Sequence, residues 1–243
     1  MKTTFALLLL INVVAVSYTQ QTSTQVATEE NLRRIGREDH GTVFTTNMDE
    51  LYEGVKGTPY LFNEWKPGNI YLTDSTYIKN VNIKFNIYTD ELSYLKSTSG
   101  DSLIINRWMI WKFEIIDDPE DDVILFKEMG FKSEKSDKKV FARVIYDGKS
   151  KLILKYSKTF IRAFYKGAYA AGNKYDEYTD DQQYYIKKDA NKPEKIKLNK
   201  KSVIKVLSDK DDKIKSYINK RKLALDNEDG VAELLQYYDS IAD

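Results

Sequence analysis

The sequence predicts a mainly β fold: an antiparallel sandwich, roll or open barrel followed by a short α-helical C-terminal tail, α+β overall. Three observations predict it. Between Val81 and Ile87, apolar residues alternate strictly with polar ones, the period of a half-buried strand. Roughly eight short apolar runs then follow one another, broken by turn residues every eight to twelve or so positions, a spacing typical of antiparallel sandwiches and barrels. After Leu198 the apolar spacing lengthens to three and four residues, the stripe of an amphipathic helix.

The elements follow in chain order. Residues 1–19 carry Lys2, an apolar run from Phe5 to Val16 broken only by Asn12, and then Ser17 and Thr19. A charged start, a short apolar core and small residues at the cut make a secretory signal peptide. The run is too short to span a bilayer, which takes about twenty residues. An exported protein is therefore expected, periplasmic, outer-surface or secreted, with no transmembrane segment and a mature chain beginning at Gln20. Residues 20–47 are polar and rich in Thr, Gln and Glu, a linker or arm.

A β-rich domain is expected over residues 48–185. Asn69–Leu72 pairs through Thr73-Asp74-Ser75 with Val81–Ile87, which should bury its odd-numbered side chains and turn Asn82, Lys84 and Asn86 to water. Further strands are expected at Leu92–Lys96, Ser102–Ile105, Met109–Ile116, Val123–Lys127, Val140–Tyr146 and Lys151–Tyr156. Asp147-Gly148 between the last two signals a tight hairpin, with positive φ angles supplied there. The Lys-rich tail, 186–243, places Val203, Ile204 and Leu207 on one helical face. A second helix should start at Asp209 with Ser208 as its cap. A third should be capped by Asp226 or Asn227 and present Val231, Leu234, Leu235, Tyr238 and Ile241. Short amphipathic helices need a surface, so the tail should pack on the β domain.

Charge is divided along the chain. Ile186–Lys222 holds 14 basic and 5 acidic residues, and the rest of the mature chain 23 basic and 32 acidic. The lysines lack the arginines and interleaved aromatics of a nucleic-acid groove, so no nucleic-acid partner is expected. They are read first as a solvated face that keeps the helices soluble. Contact with an anionic surface is the second reading. The chain has no cysteine, so its core must hold without disulfides even in an oxidising compartment, a pattern that suits a Gram-negative envelope.

Reactive groups are sparse. The single histidine, His40, sits in a polar segment, and there is no cysteine nucleophile, Gly-x-Ser-x-Gly elbow, His-Glu-x-x-His or phosphate loop. No catalytic residue, metal ligand or cofactor is therefore assigned. The acidic run Asp117–Asp122 lacks the glycine and twelfth-position glutamate of a calcium loop and reads as a charged turn. Aromatics are the remaining signal, with 18 Tyr, 10 Phe and 3 Trp. Tyr60, Phe62 and Trp65, framed by Gly57, Pro59, Pro67 and Gly68, are the candidate ligand-binding residues, whereas Trp108 and Trp111 are expected in the core.

Gly57-Thr-Pro-Tyr60-Leu-Phe62-Asn-Glu-Trp65-Lys-Pro-Gly68-Asn-Ile-Tyr71, Asn86-Ile-Tyr-Thr-Asp-Glu-Leu92 and Leu198-Asn-Lys-Lys-Ser-Val-Ile-Lys-Val-Leu207 together resemble an uncharacterised family of exported bacterial, Gram-negative envelope proteins with no assigned activity. The resemblance implies export and supplies no catalytic residue. The reading that follows is a non-enzymatic binding or structural protein of the bacterial envelope, its partner an envelope protein or a glycan. A glycan hydrolase working through a carboxylate pair, or a lipid or acyl carrier with a cavity inside a β roll, are the alternatives.

Overall fold

Among the described residues the chain forms ten strands, all antiparallel and all in one sheet. They are β1 (Lys66–Leu72), β2 (Tyr77–Asn86), β3 (Glu91–Leu95), β4 (Ser102–Ile105), β5 (Ile110–Asp118), β6 (Asp122–Gly130), β7 (Lys139–Asp147), β8 (Ser150–Ile161), β9 (Glu177–Lys188) and β10 (Glu194–Ile196). Their order across the sheet is β10-β9-β8-β7-β6-β5-β1-β2-β3-β4. Helices α1 (Lys200–Val206), α2 (Asp211–Arg221) and α3 (Glu228–Ser240) follow. This computed structural model describes residues 55–96, 100–118, 122–131, 139–163 and 175–241. The expected signal peptide, the polar arm and His40 lie outside the described residues, as does the centre of the acidic run. The ends of that run do form a hairpin, with Asp118 opposite Asp122. Among the described residues no helix is long and apolar enough to cross a membrane.

The sheet curls on itself. Strands β2 and β7 are four places apart, which is about 19 Å in a flat sheet at ~4.8 Å per strand. Yet the rings of Phe85 on β2 and Phe141 on β7 have centroids 6.2 Å apart. Phe113 of β5 and Phe126 of β6 stack between them at 4.8 Å, and the Asp90 carboxylate in the β2–β3 turn accepts from the Phe141 N–H at 3.0 Å. Fifteen buried residues from β1 to β7 make this core. A strap before β1 lies across the opening. Lys56 N–H donates to the Asp176 carbonyl and Tyr178 N–H to the Lys56 carbonyl, both at 2.9 Å, whereas Leu61 N–H donates to the Phe85 carbonyl at 3.0 Å.

The strap changes the exposure of β2. Asn82 faces water as expected, but Lys84 is 4% exposed and Asn86 7%. Period-two alternation reports which residues share a face, and here the second face is covered as well. The β domain also extends beyond its expected limit. Glu177–Lys188 is a twelve-residue strand paired along its whole length with β8, and β10 lies inside the segment read as helical tail.

The helices pack on the other end of the sheet, as expected. Leu152, Ile186 and Ile196 meet Val203, Val206, Leu207, Ile214, Ile218, Val231, Leu234 and Leu235 in a second core. Asn199 caps α1 by accepting from Ser202 N–H at 2.9 Å, and Asn227 caps α3 through Gly230 N–H at 2.9 Å. Ser208 caps nothing: it begins a single 3-10 turn, and α2 starts two residues late, at Asp211, without a side-chain cap. Gly148 also plays a different part from the one expected. The β7–β8 hairpin forms, but Gly148 is not among the residues with positive φ. A Cβ there would lie 2.3 Å from the Tyr146 hydroxyl and 2.4 Å from an Asp239 carboxylate oxygen, so any side chain at this position would displace the Tyr146–Asp239 pair.

Candidate functional site

The strap uses its aromatic residues to hold lysines. Tyr60 is buried, 5% exposed, and the Lys84 ammonium lies 4.6 Å from its ring centre and 5.7 Å from that of Trp65. Phe62 instead takes the Lys66 ammonium, at 5.1 Å. The fold thus brings Tyr60 and Trp65 together around a buried cation, with Phe62 packed on the main core.

A second aromatic group lies farther along the outer face of the sheet, the face turned away from the main core. Ile70 and Leu72 point into the core, so Asn69 and Tyr71 between and beside them point out. On β5, Tyr71 pairs with Lys112 and Leu72 with Ile110, leaving Trp111 as the extra residue of a bulge. A bulge re-aims a side chain, and Trp111 turns outward, 44% exposed. Trp108, in the 3-10 turn Arg107–Met109 before β5, is 58% exposed, and Tyr77 at the start of β2 is 51% exposed. Thr73 N–H donates to the Met109 carbonyl at 2.8 Å, tying this turn to the β1–β2 turn. Both tryptophans therefore contradict their expected place in the core.

Tyr71 is the pedestal of this group. Its ring centre lies 6.4 Å from both Tyr77 and Trp111, and the Lys112 ammonium sits 3.9 Å from it. The Glu114 carboxylate accepts from Tyr71 Oη and from Asn69 Nδ2, each at 2.9 Å, with Lys112 Nζ 3.7 Å away. Burial, and then the bond to Glu114, raise the Tyr71 hydroxyl above the usual tyrosine range, so at neutral pH it stays a donor. Lys79 lies 4.9 Å from the Tyr77 ring. The result is two exposed rings, Tyr77 and Trp111, against a fixed one, with donors and acceptors set among them and Trp108 exposed in the turn before β5. Rings offer faces for stacking and polar groups fix orientation.

Chemistry for bond cleavage has less support. Asp90 and Glu128 share Arg107, at 2.6 and 3.3 Å. Burial raises Asp147 and Asp209, but hydrogen bonds from Lys127 and Lys151 on the first, and from Tyr238 and Lys188 on the second, outweigh it and leave both below the usual carboxylate range. A glycosidic general acid needs the opposite shift. Among the described residues no group of three acidic or histidine side chains is placed to hold a metal. Phe85, Phe113, Phe126 and Phe141 pack against one another inside the curled sheet.

Sequence reasoning missed Trp111 although a signal was present. Ile110 and Phe113 both face the core at a spacing of three, and Phe113 and Ile115 at two, so one extra residue had to sit between the first pair. Comparison with known protein families, with characterised proteins and with solved structures finds no match.

Proposed function

We propose that this is an exported, non-enzymatic binding protein of the bacterial envelope that holds a glycan on the outer aromatic face. The observation that carries the reading is the exposure of Trp111 and Tyr77 against the anchored Tyr71, with Trp108 exposed in the adjoining turn. Large aromatics left in water in a cluster mark contact surfaces, and they are the side chains that dominate contact energies. Asn69, Lys112 and Glu114 favour a sugar as the occupant, because a pyranose presents apolar C–H faces and a rim of hydroxyls together. The signal-peptide pattern of residues 1–19 and the absence of cysteine support the location.

Trp108 and Trp111 provide their own probe. Titrating the mature protein with polysaccharides from an envelope fraction should shift tryptophan emission to the blue. Trp111→Ala and Tyr77→Ala should each weaken binding about tenfold or more, the usual result of removing a dominant contact ring. Polysaccharide binding that both variants retain at full strength refutes this site. Capture of an envelope protein in place of any glycan refutes the choice of ligand.

A further inference from the structure

We propose that the exposed lysines leading into and along α1 dock the protein on an anionic phospholipid surface. Lys195, Lys197, Lys200, Lys201 and Lys205 are all exposed. The Lys200 ammonium donates to Asn219 Oδ1 at 3.2 Å, which brings the end of α2, with exposed Lys220 and Lys222, beside them. Two of the five acids of this segment are engaged by its own side chains or by α3, whereas Glu194 and Asp212 are exposed and leave the lysines in large excess. Asp209 accepts from Lys188 Nζ at 3.0 Å and Tyr238 Oη at 2.7 Å, and Asp211 pairs with Lys215 one turn on.

Helix stability does not account for the placement. Lys200 and Lys201 occupy the first turn of α1, which contains no acidic residue, and the helix dipole disfavours cations there. Lys201 and Lys205 stand one turn apart, where like charges repel. By contrast, Lys220 and Arg221 in the last turn of α2 are where cations stabilise a helix.

Charge complementarity identifies the partner. Dispersed lysines without a pocket suit a flat array of phosphate headgroups, which meets many of them at once, better than a single bound phosphate. The acidic remainder of the chain is repelled by the same surface and so orients the molecule with α1 toward the lipid. Attachment of this kind weakens as salt screens it, over about 8 Å at physiological ionic strength.

Vesicle co-sedimentation of the mature chain tests the proposal, using equal parts phosphatidylglycerol and phosphatidylcholine against phosphatidylcholine alone. Binding to the anionic vesicles only, released by raised salt, is the expected result. Each lysine at such a surface contributes about fivefold in affinity, so the triple variant Lys197→Gln, Lys201→Gln, Lys205→Gln should bind roughly a hundredfold more weakly. Its circular dichroism should match the parent; if it does not, Lys201→Gln alone serves, with a loss of about fivefold. Equal sedimentation with neutral vesicles, no sedimentation with anionic ones, undiminished binding by the variants, or retention only on lipopolysaccharide or heparin would each overturn it.

Discussion

Lys84 and Phe85 are neighbours on β2 that point to opposite faces, and both are buried. Phe85 meets Phe113 and Phe126 at 5.1 and 5.3 Å, so Phe85→Ala should lose ~3–5 kcal/mol through the cavity it leaves. Lys84 is covered by the strap and faces Tyr60 and Trp65. Desolvated cation–π contacts reach about 2 kcal/mol, and the lysine stem packs as well. Lys84→Ala should therefore cost clearly more than the ~0.5 kcal/mol of a surface change, with exposed Asn82→Ala as the reference. Urea midpoints for the three variants check this; a Lys84→Ala midpoint equal to that of Asn82→Ala would show a solvated lysine. The inward side of β2 was legible from alternation. The covering of Lys84 was not, because it depends on how the segment before β1 folds back over β2.

At the scale of elements, α3 is fastened to the sheet by tyrosine–carboxylate pairs. Tyr146 Oη donates to Asp239 at 3.0 Å, and the same carboxylate accepts from Ser150 N–H. Tyr184 Oη donates to Glu228 at 2.9 Å, which also pairs with Arg143 at 3.2 Å. Tyr238, on α3 itself, donates to Asp209 at 2.7 Å. Burial first, and then these bonds, push Tyr146 and Tyr184 up to about 12 and raise Tyr238 too. The folded state holds these protons more tightly than the unfolded chain, whose tyrosines titrate near 10. Their contribution is therefore complete below about pH 10 and is lost as pH rises toward ~12. Denaturation midpoints followed by helical circular dichroism should fall across that window, and Tyr146→Phe should make the fall shallower. A Tyr146→Phe slope equal to that of the parent would show that this pair does not fasten the helix. The helix stripe and a cap at Asp226 or Asn227 could be read from sequence, since both are local, and the structure selects Asn227. Asp239 and Gly148 could not, because their roles lie in the contact between α3 and the β7–β8 turn.

For the whole molecule, the two ends of the chain divide the work. The strap spans β9 and β2 and covers the opening of the curled sheet, and the helices cover the inner side of β7 to β9. Between these coverings the outer face of β1, β2 and β5 keeps its rings in water. The location of the molecule has its own test. Mass spectrometry of protein recovered from the envelope fraction should find a chain beginning at Gln20, and intact Met1–Thr19 on that material would count against export by cleavage.

What the sequence determined by itself is whatever a short window contains: the first eight strands, the helix stripes, a cap at Asp226 or Asn227, the uneven charge and the mainly β class. Each follows from the period of side chains along one element or from a bond closed within a few residues. Only the tertiary structure decided that one sheet curls instead of two stacking, that Lys84 is enclosed, and that Trp108 and Trp111 stand in water. Alternation reports that two sets of side chains face opposite ways. Which set is covered depends on what else arrives, and a one-residue bulge before Lys112 is enough to send Trp111 to the other side.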